Sequence, residues 1–157
     1  MVIDIVHRHI LSKGLKLYLK DGVKAFHKKE KKVKVELQSG KLLTADMVIL
    51  AIGVKPDVSM AKDAGLEIGE RRGTKVNSYL QTSDPDIYAV GDAIEVKDFV
   101  NGGDTVIPLA GLANKQGRIA ANNIYGAGEQ YHGTQGASAV KVFDLTVAAT
   151  GNSEKDS

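Results

Sequence analysis

An α/β fold with an associated antiparallel β-meander is predicted by three features of the sequence. Two short apolar runs, 46–53 and 87–90, each lead into a glycine, as buried strands do at the carboxyl edge of an α/β sheet. Alternating segments at 23–27 and 33–37 flank a lysine-rich stretch, which is the pattern of a meander with a charged turn. A long helical pattern follows Pro108.

Composition bounds what such a fold can do. The 157 residues are 43% apolar and 25% charged with a formal charge of +2, a globular balance that asks for no nucleic-acid partner. Cysteine is absent, so disulfides, thiolate metal sites and thiol catalysis within this sequence are excluded. The longest apolar run, 47–54, is far too short to span a membrane, and charged residues stand where a signal peptide would be apolar. A soluble, cytoplasmic location is expected.

From the N-terminus, Val2, Ile3, Val6, Ile10 and Leu11 recur at helical spacing over 2–12, and Gly14 ends the helix. His7 and His9 stand two apart, diverge on a helix and are expected at the solvated surface; no metal site is predicted. Residues 15–19 alternate and predict a strand turned by Asp21-Gly22. The meander follows, with Lys28, Lys29, Lys31 and Lys32 at its solvated tip. Ser39-Gly40 turns the chain into 41–44, and 46–53 is the first buried strand.

A short helix is expected over 59–64, stopped by Gly65, with short strands at 66–69 and 74–80. Asp84-Pro85-Asp86 breaks helical geometry, because proline fixes its own φ and restricts the residue before it. Ile87 to Val90 should then form a strand buried on both faces, with Gly91 at its end and Asp92 as an exposed carboxylate suited to accept from a hydroxyl. Residues 95–104 predict an exposed loop. The helix is predicted over 112–125, with Leu112, Ala113, Ile119, Ala120 and Ile124 in the core and Gly126 at its end. Strands are expected at 139–143 and 145–149, and Tyr125 and Tyr131 receive no role.

The helix start at Leu109-Ala110-Gly111 offers free N–H groups and the positive end of the dipole, which favour negative charge. Small side chains at Ala110, Gly111 and Ala113 would let a flat ligand such as a flavin approach with its N1 and C2=O edge. The same small residues would equally let the helix pack closely on a strand, and spacing alone does not choose between the two.

Together, 46–56, 82–92 and 107–118 resemble the second flavin-binding segment of the pyridine nucleotide-disulfide oxidoreductases. Ile107-Pro108-Leu109-Ala110-Gly111, Ala113-Asn114-Lys115-Gln116-Gly117-Arg118 and Lys141-Val142-Phe143-Asp144 are most similar to the coenzyme A-disulfide reductase, NADH oxidase and NADH peroxidase branch. The fold this implies is a partial FAD/NAD(P)-binding doubly wound fold. Residues 1–46 would be the last part of the NAD(P)-binding domain, 47–128 the second segment of the FAD-binding domain, and 129–157 the start of the dimerisation domain.

The resemblance implies that Asp92 accepts from the FAD ribityl chain, with Gly91 allowing close approach. Leu109 and Ala110 would meet the isoalloxazine edge, Gly53 would lie where both cofactors meet, and Lys115 and Arg118 are candidates for flavin or subunit contacts. The family carries G-x-G-x-x-G turns for FAD and NAD and a redox cysteine, and none of these occurs here. A fragment of an enzyme passing hydride from NAD(P)H through FAD to a small-molecule disulfide, polysulfide, peroxide or oxygen is therefore expected. No catalytic residue is assigned, the chain alone is expected to be inactive and to bind FAD weakly or not at all, and homo-oligomers are expected. The alternative is a non-catalytic binding or interaction module that keeps the flavin fold.

Overall fold

A computed structural model describes residues 2–151, which fall into two units: 2–53 with 140–147, and 54–139 with 148–151. In the first unit, helix α1 (Val2–Ser12) forms as the periodicity predicts, and Gly14 closes it with φ +83°. Its sheltered side is narrower than the apolar pattern, because Ile3 and Leu11 are exposed while Val6, His9 and Ile10 are half-buried. His9 is thus not a freely solvated residue. Its Nε2 lies 2.9 Å from Asp144 Oδ1 without hydrogen-bond alignment, and Lys13 Nζ lies 2.7 Å from the same oxygen. The Lys13 hydrogen bond is the main reason the Asp144 carboxyl is held below the usual range.

The meander is present as strands β1 (Val23–Lys29), β2 (Lys32–Leu37) and β3 (Leu42–Ala45), antiparallel in that order. The register sets Phe26, Val35 and Leu43 side by side on one face, with His27, Lys34 and Thr44 on the other. Val35 and Leu37 are buried, and the lysines of the β1–β2 turn are exposed as expected. On the polar face Glu36 accepts from Lys24 Nζ at 2.6 Å and meets His27 Nε2 at 2.9 Å. Asp21 accepts from the Ser39 N–H and hydroxyl at 2.9 and 2.7 Å, which ties the two turns together.

Two predicted strands of this unit do not form. Residues 15–19 and 46–53 are in no strand ladder, and Ile49 and Ile52 are 83% and 85% exposed. Alternation and apolar content supply a face, but a strand exists only where a neighbour takes its N–H and C=O groups, and none of the described strands pairs with these segments. Tyr18 instead lies under Lys41, whose Nζ is 4.3 Å from the ring centroid.

In the second unit, helix α2 (Ser59–Asp63) follows Asp57, whose carboxylate accepts from the Ser59 hydroxyl and N–H. Strand β4 (Thr74–Lys75) pairs in parallel with β5 (Ile94–Lys97), and β5 pairs antiparallel with β6 (Asp104–Thr105). The predicted strand at 66–69 reduces to a bridge from Ile68 to Thr74, and 76–80 turns instead, because Asn77 Oδ1 accepts from the N–H groups of Tyr79 and Gln81. The largest correction is β5, expected as exposed loop and found as the central strand with Ile94, Glu95 and Val96 buried.

Glu95 disguised that strand, since a carboxylate is rarely buried without a partner. Its Oε2 accepts from the Arg71 N–H at 2.6 Å, and its side chain occupies the space where a Cβ on Gly69 would fall. A Cβ on Gly73 would meet the backbone N of Glu95 at 2.5 Å, so both glycines of the 69–73 turn are needed for its approach to β5.

Helix α3 (Ala110–Ile124) begins two residues earlier than predicted and covers this sheet. Ile119 and Ala120 join Leu80, Ile94, Val96 and Tyr131 in the core, with Val76, Tyr88 and Ala89 packed against it. Ile124, predicted to be buried, is 64% exposed, because the core stripe of α3 runs through Gln116, Ile119, Ala120 and Asn123. Strands β7 (Ala137–Val142) and β8 (Leu145–Thr150) form a two-stranded sheet joined by Phe143 and Asp144.

Two outcomes are expected. Gly73→Ala should lower the unfolding free energy by about 3 kcal/mol through overpacking, whereas Gly117→Ala, with nothing within 4 Å of the added Cβ, should raise it by about 0.5–1 kcal/mol. Equal denaturant midpoints for the two variants would contradict the described packing. Glu36 is held below its ordinary value of 4.5, first by the Lys24 hydrogen bond and then by that of His27. A carboxylate depressed in the folded state stabilises above its unfolded value and loses that contribution as pH falls through its lower folded value. Wild type should therefore exceed Glu36→Gln in stability near neutral pH, with the gap closing on acidification below the ordinary Glu range, followed by denaturant unfolding at each pH.

Candidate functional site

The stretch from Thr82 to Asp92 is built by its own side chains before anything else touches it. Thr82 Oγ1 donates to the Asp84 carbonyl at 3.0 Å and accepts from the Asp84 N–H at 3.2 Å. Asp84 Oδ1 accepts from the Asp86 N–H at 2.9 Å, the turn that an Asp-Pro-Asp sequence favours. Residues 87–90 then run back along 80–82, with a bridge from Tyr88 to Gln81 and the Ala89 N–H donating to the Leu80 carbonyl at 3.1 Å. They are not a strand buried on both faces: Tyr88 and Ala89 pack on the core while Ile87 and Val90 are each 38% exposed.

Gly91–Ala93 forms a 3-10 turn. Gly91 takes φ +80°, a left-handed conformation that favours glycine, and its N–H donates to Gln116 Oε1 at 2.8 Å. A Cβ on Gly91 would lie 3.7 Å from the Ala113 side chain, so the turn sits against the first turns of α3. Asp92, the middle residue, is exposed. A carboxylate on an anchored turn can accept from hydroxyl groups with little loss of its own freedom.

The start of α3 offers the opposite polarity. Leu109 precedes the helix in extended conformation, no side chain caps it, and Ala110 and Gly111 present at most a methyl group. Helical N–H groups there point outward with the positive end of the dipole. Lys115 is exposed, its Nζ 6.0 Å from the centroid of the Tyr131 ring, and Arg118 borders a shallow groove with Ala110, Ala113, Asn114, Gly117 and Ala121.

Of the residues singled out in the sequence, Gly91, Asp92, Leu109, Ala110 and Lys115 all belong to the second unit, with Gly91 directly against α3. Gly53 belongs to the first unit, exposed and with φ +89°. Sequence reasoning missed Gln116, Asn123 and Tyr131. Tyr131 is 6% exposed and its hydroxyl accepts from Gln116 Nε2 at 3.1 Å. Asn123 donates to the carbonyls of Tyr79 and Glu129 and accepts from the Glu129 N–H. The available signal was spacing: Gln116 and Asn123 fall on the same stripe as Ile119 and Ala120. Among the described residues no group of three or more His, Cys, Asp or Glu side chains could hold a metal, and no helix is long and apolar enough to cross a membrane.

Residues 1–117 match the family model described as pyridine nucleotide-disulphide oxidoreductase. The chain is 38% identical over 148 residues to an NADH oxidase of Methanocaldococcus jannaschii, covering 94% of this chain and 33% of that protein. Identity is 37% over 155 residues to a CoA-dependent NAD(P)H sulfur oxidoreductase of Pyrococcus furiosus, covering 99% of this chain and 35% of the relative. The crystal structure of reduced Bacillus anthracis CoADR-RHD superposes with a TM-score of 0.90 at 53% identity, over 96% of this chain and 27% of that one. The chain thus spans about a third of the length of the curated relatives it matches. With that match over most of its length and the same fold as solved members, the chain belongs to the flavin-dependent pyridine nucleotide-disulphide oxidoreductase family and has its FAD/NAD-binding fold.

Proposed function

We propose that this chain supplies the ribityl-facing and pyrimidine-facing part of a flavin site, in an enzyme that passes hydride from NAD(P)H through FAD to a small disulfide, polysulfide, peroxide or oxygen. The observation that carries this reading is the anchored turn that leaves Asp92 open to solvent beside the start of α3. Bound FAD would supply the two-electron hydride chemistry. The residues present suit that group in their donor set: an acceptor carboxylate for ribityl hydroxyls, and uncapped helix N–H groups for an electron-rich carbonyl edge.

Each residue has a separate task. Asp92 accepts hydrogen bonds from the ribityl hydroxyls and holds that chain in register. Gly91 keeps the turn low, because it carries no side chain over the approach. Leu109 and Ala110 present their backbone to the ring edge, where the helix dipole favours developing negative charge, and Lys115 adds positive charge one helical turn further on. Gly53 is a cofactor-side position at the end of the first unit. Residues 1–46 correspond to the end of an NAD(P)-binding domain, 47–128 to a flavin-binding segment and 129–157 to the beginning of a dimerisation domain, which makes a homo-oligomer the natural assembly.

A pyrophosphate-binding glycine fingerprint is not found in the sequence, so these residues grip one portion of FAD only. The isolated chain is accordingly expected to bind FAD weakly and to turn over no NADH. In an FAD titration followed by amide NMR, shifts should gather at 91–93 and 109–113. Asp92→Ala should weaken binding by about tenfold or more, the scale of a lost hydrogen bond to a charged group. Purification with stoichiometric FAD would contradict weak binding, and shifts confined to other residues at millimolar FAD would contradict the site.

A further inference from the structure

We infer that Gln116 is a positioning residue for the flavin site, its buried carboxamide holding the Gly91 turn that presents Asp92, with Tyr131 holding the other end of the amide. The inference rests on Asp92 being the flavin-facing carboxylate. Gln116 and Tyr131 are 3% and 6% exposed, and the Gln116 Nε2 meets the Tyr131 hydroxyl beside the apolar cluster of Leu80, Ile94, Val96 and Ile119. Gly91 N–H can only donate, so the amide atom 2.8 Å away must be the oxygen Oε1, which leaves Nε2 for the Tyr131 hydroxyl at 3.1 Å. A leucine or methionine would fill this point of the α3 stripe without the desolvation cost of an amide. What the amide adds is a bond to one main-chain N–H, that of the left-handed residue next to Asp92.

Tyr131 is itself held by the backbone. Its N–H donates to the Ser78 carbonyl at 2.7 Å, the Glu129 N–H donates to Asn123 Oδ1, and the Thr134 N–H donates to the Lys97 carbonyl at 3.0 Å. The segment after α3 is therefore pinned across the second unit, and its phenol delivers that position through Gln116 to the Asp92 turn. Displacement of residues 129–134 would reorient Asp92 without touching it.

Amide hydrogen exchange by NMR on the full chain, with and without FAD, tests this. In Gln116→Met, which keeps length but lacks the acceptor, Gly91 exchange should accelerate about tenfold while Ile119 and Ala120 keep their rates. Gln116→Glu retains an acceptor and should restore Gly91 protection, and Tyr131→Phe should give an intermediate rate. FAD-induced shifts at Asp92 and Ala93 should fall in Gln116→Met and return in Gln116→Glu. Unchanged Gly91 exchange in Gln116→Met, or a rise shared equally by Ile119 and Ala120 in both Gln116 variants, would overturn the inference. Should Gln116→Met fail to fold, Tyr131→Phe decides, and an unchanged Gly91 rate there overturns it. Absence of any FAD shift in wild type would overturn the flavin reading, and with it the role of Gln116 toward FAD, while the exchange data would still report on the hydrogen bond.

Discussion

The buried stripe of α3 carries two carboxamides among its apolar groups, and the second unit is organised around that mixture. Ile119 and Ala120 bring Leu80, Ile94 and Val96 together by burial, which is strong but non-directional. Gln116 and Asn123 add direction. Each satisfies main-chain groups of segments that have little regular structure of their own, Gly91 in one case and Tyr79 with Glu129 in the other. Helix position, loop position and the exposure of Asp92 are coupled because a buried amide tolerates no loose partner.

A second constraint operates through space. β5 can accept the 69–73 turn only because Gly69 and Gly73 have no Cβ, and Glu95 uses the vacated volume to reach the Arg71 N–H. The carboxylate thereby closes the turn onto the central strand. An acidic residue in a short β-segment looks like loop in sequence, and here it is part of the packing.

The apolar segment 46–53 shows the converse. Its composition is that of a buried strand, and Met47, Ile49, Leu50 and Ile52 are exposed to solvent while Val48 is half-buried. Burial is a property of neighbours, and the described residues contain no ladder for it to join. The same holds for one side of 87–90. In relatives about three times the length, most of the polypeptide lies outside the part that this chain matches.

The amino-acid sequence by itself determined α1 with its Gly14 end, the three-stranded meander with its charged tip, the helix after Pro108, the turn before Asp92 and the family. These depend on local rules: helical spacing, alternation, proline and glycine geometry, and short motifs read in order. Tertiary structure alone decided that 94–97 is a central strand, that 15–19 and 46–53 are not strands, and that Gln116 and Tyr131 stand behind the Gly91 turn. Each of those outcomes depends on residues distant in the chain meeting as hydrogen-bond partners or sharing a volume, and neither periodicity nor composition encodes which partner will be there.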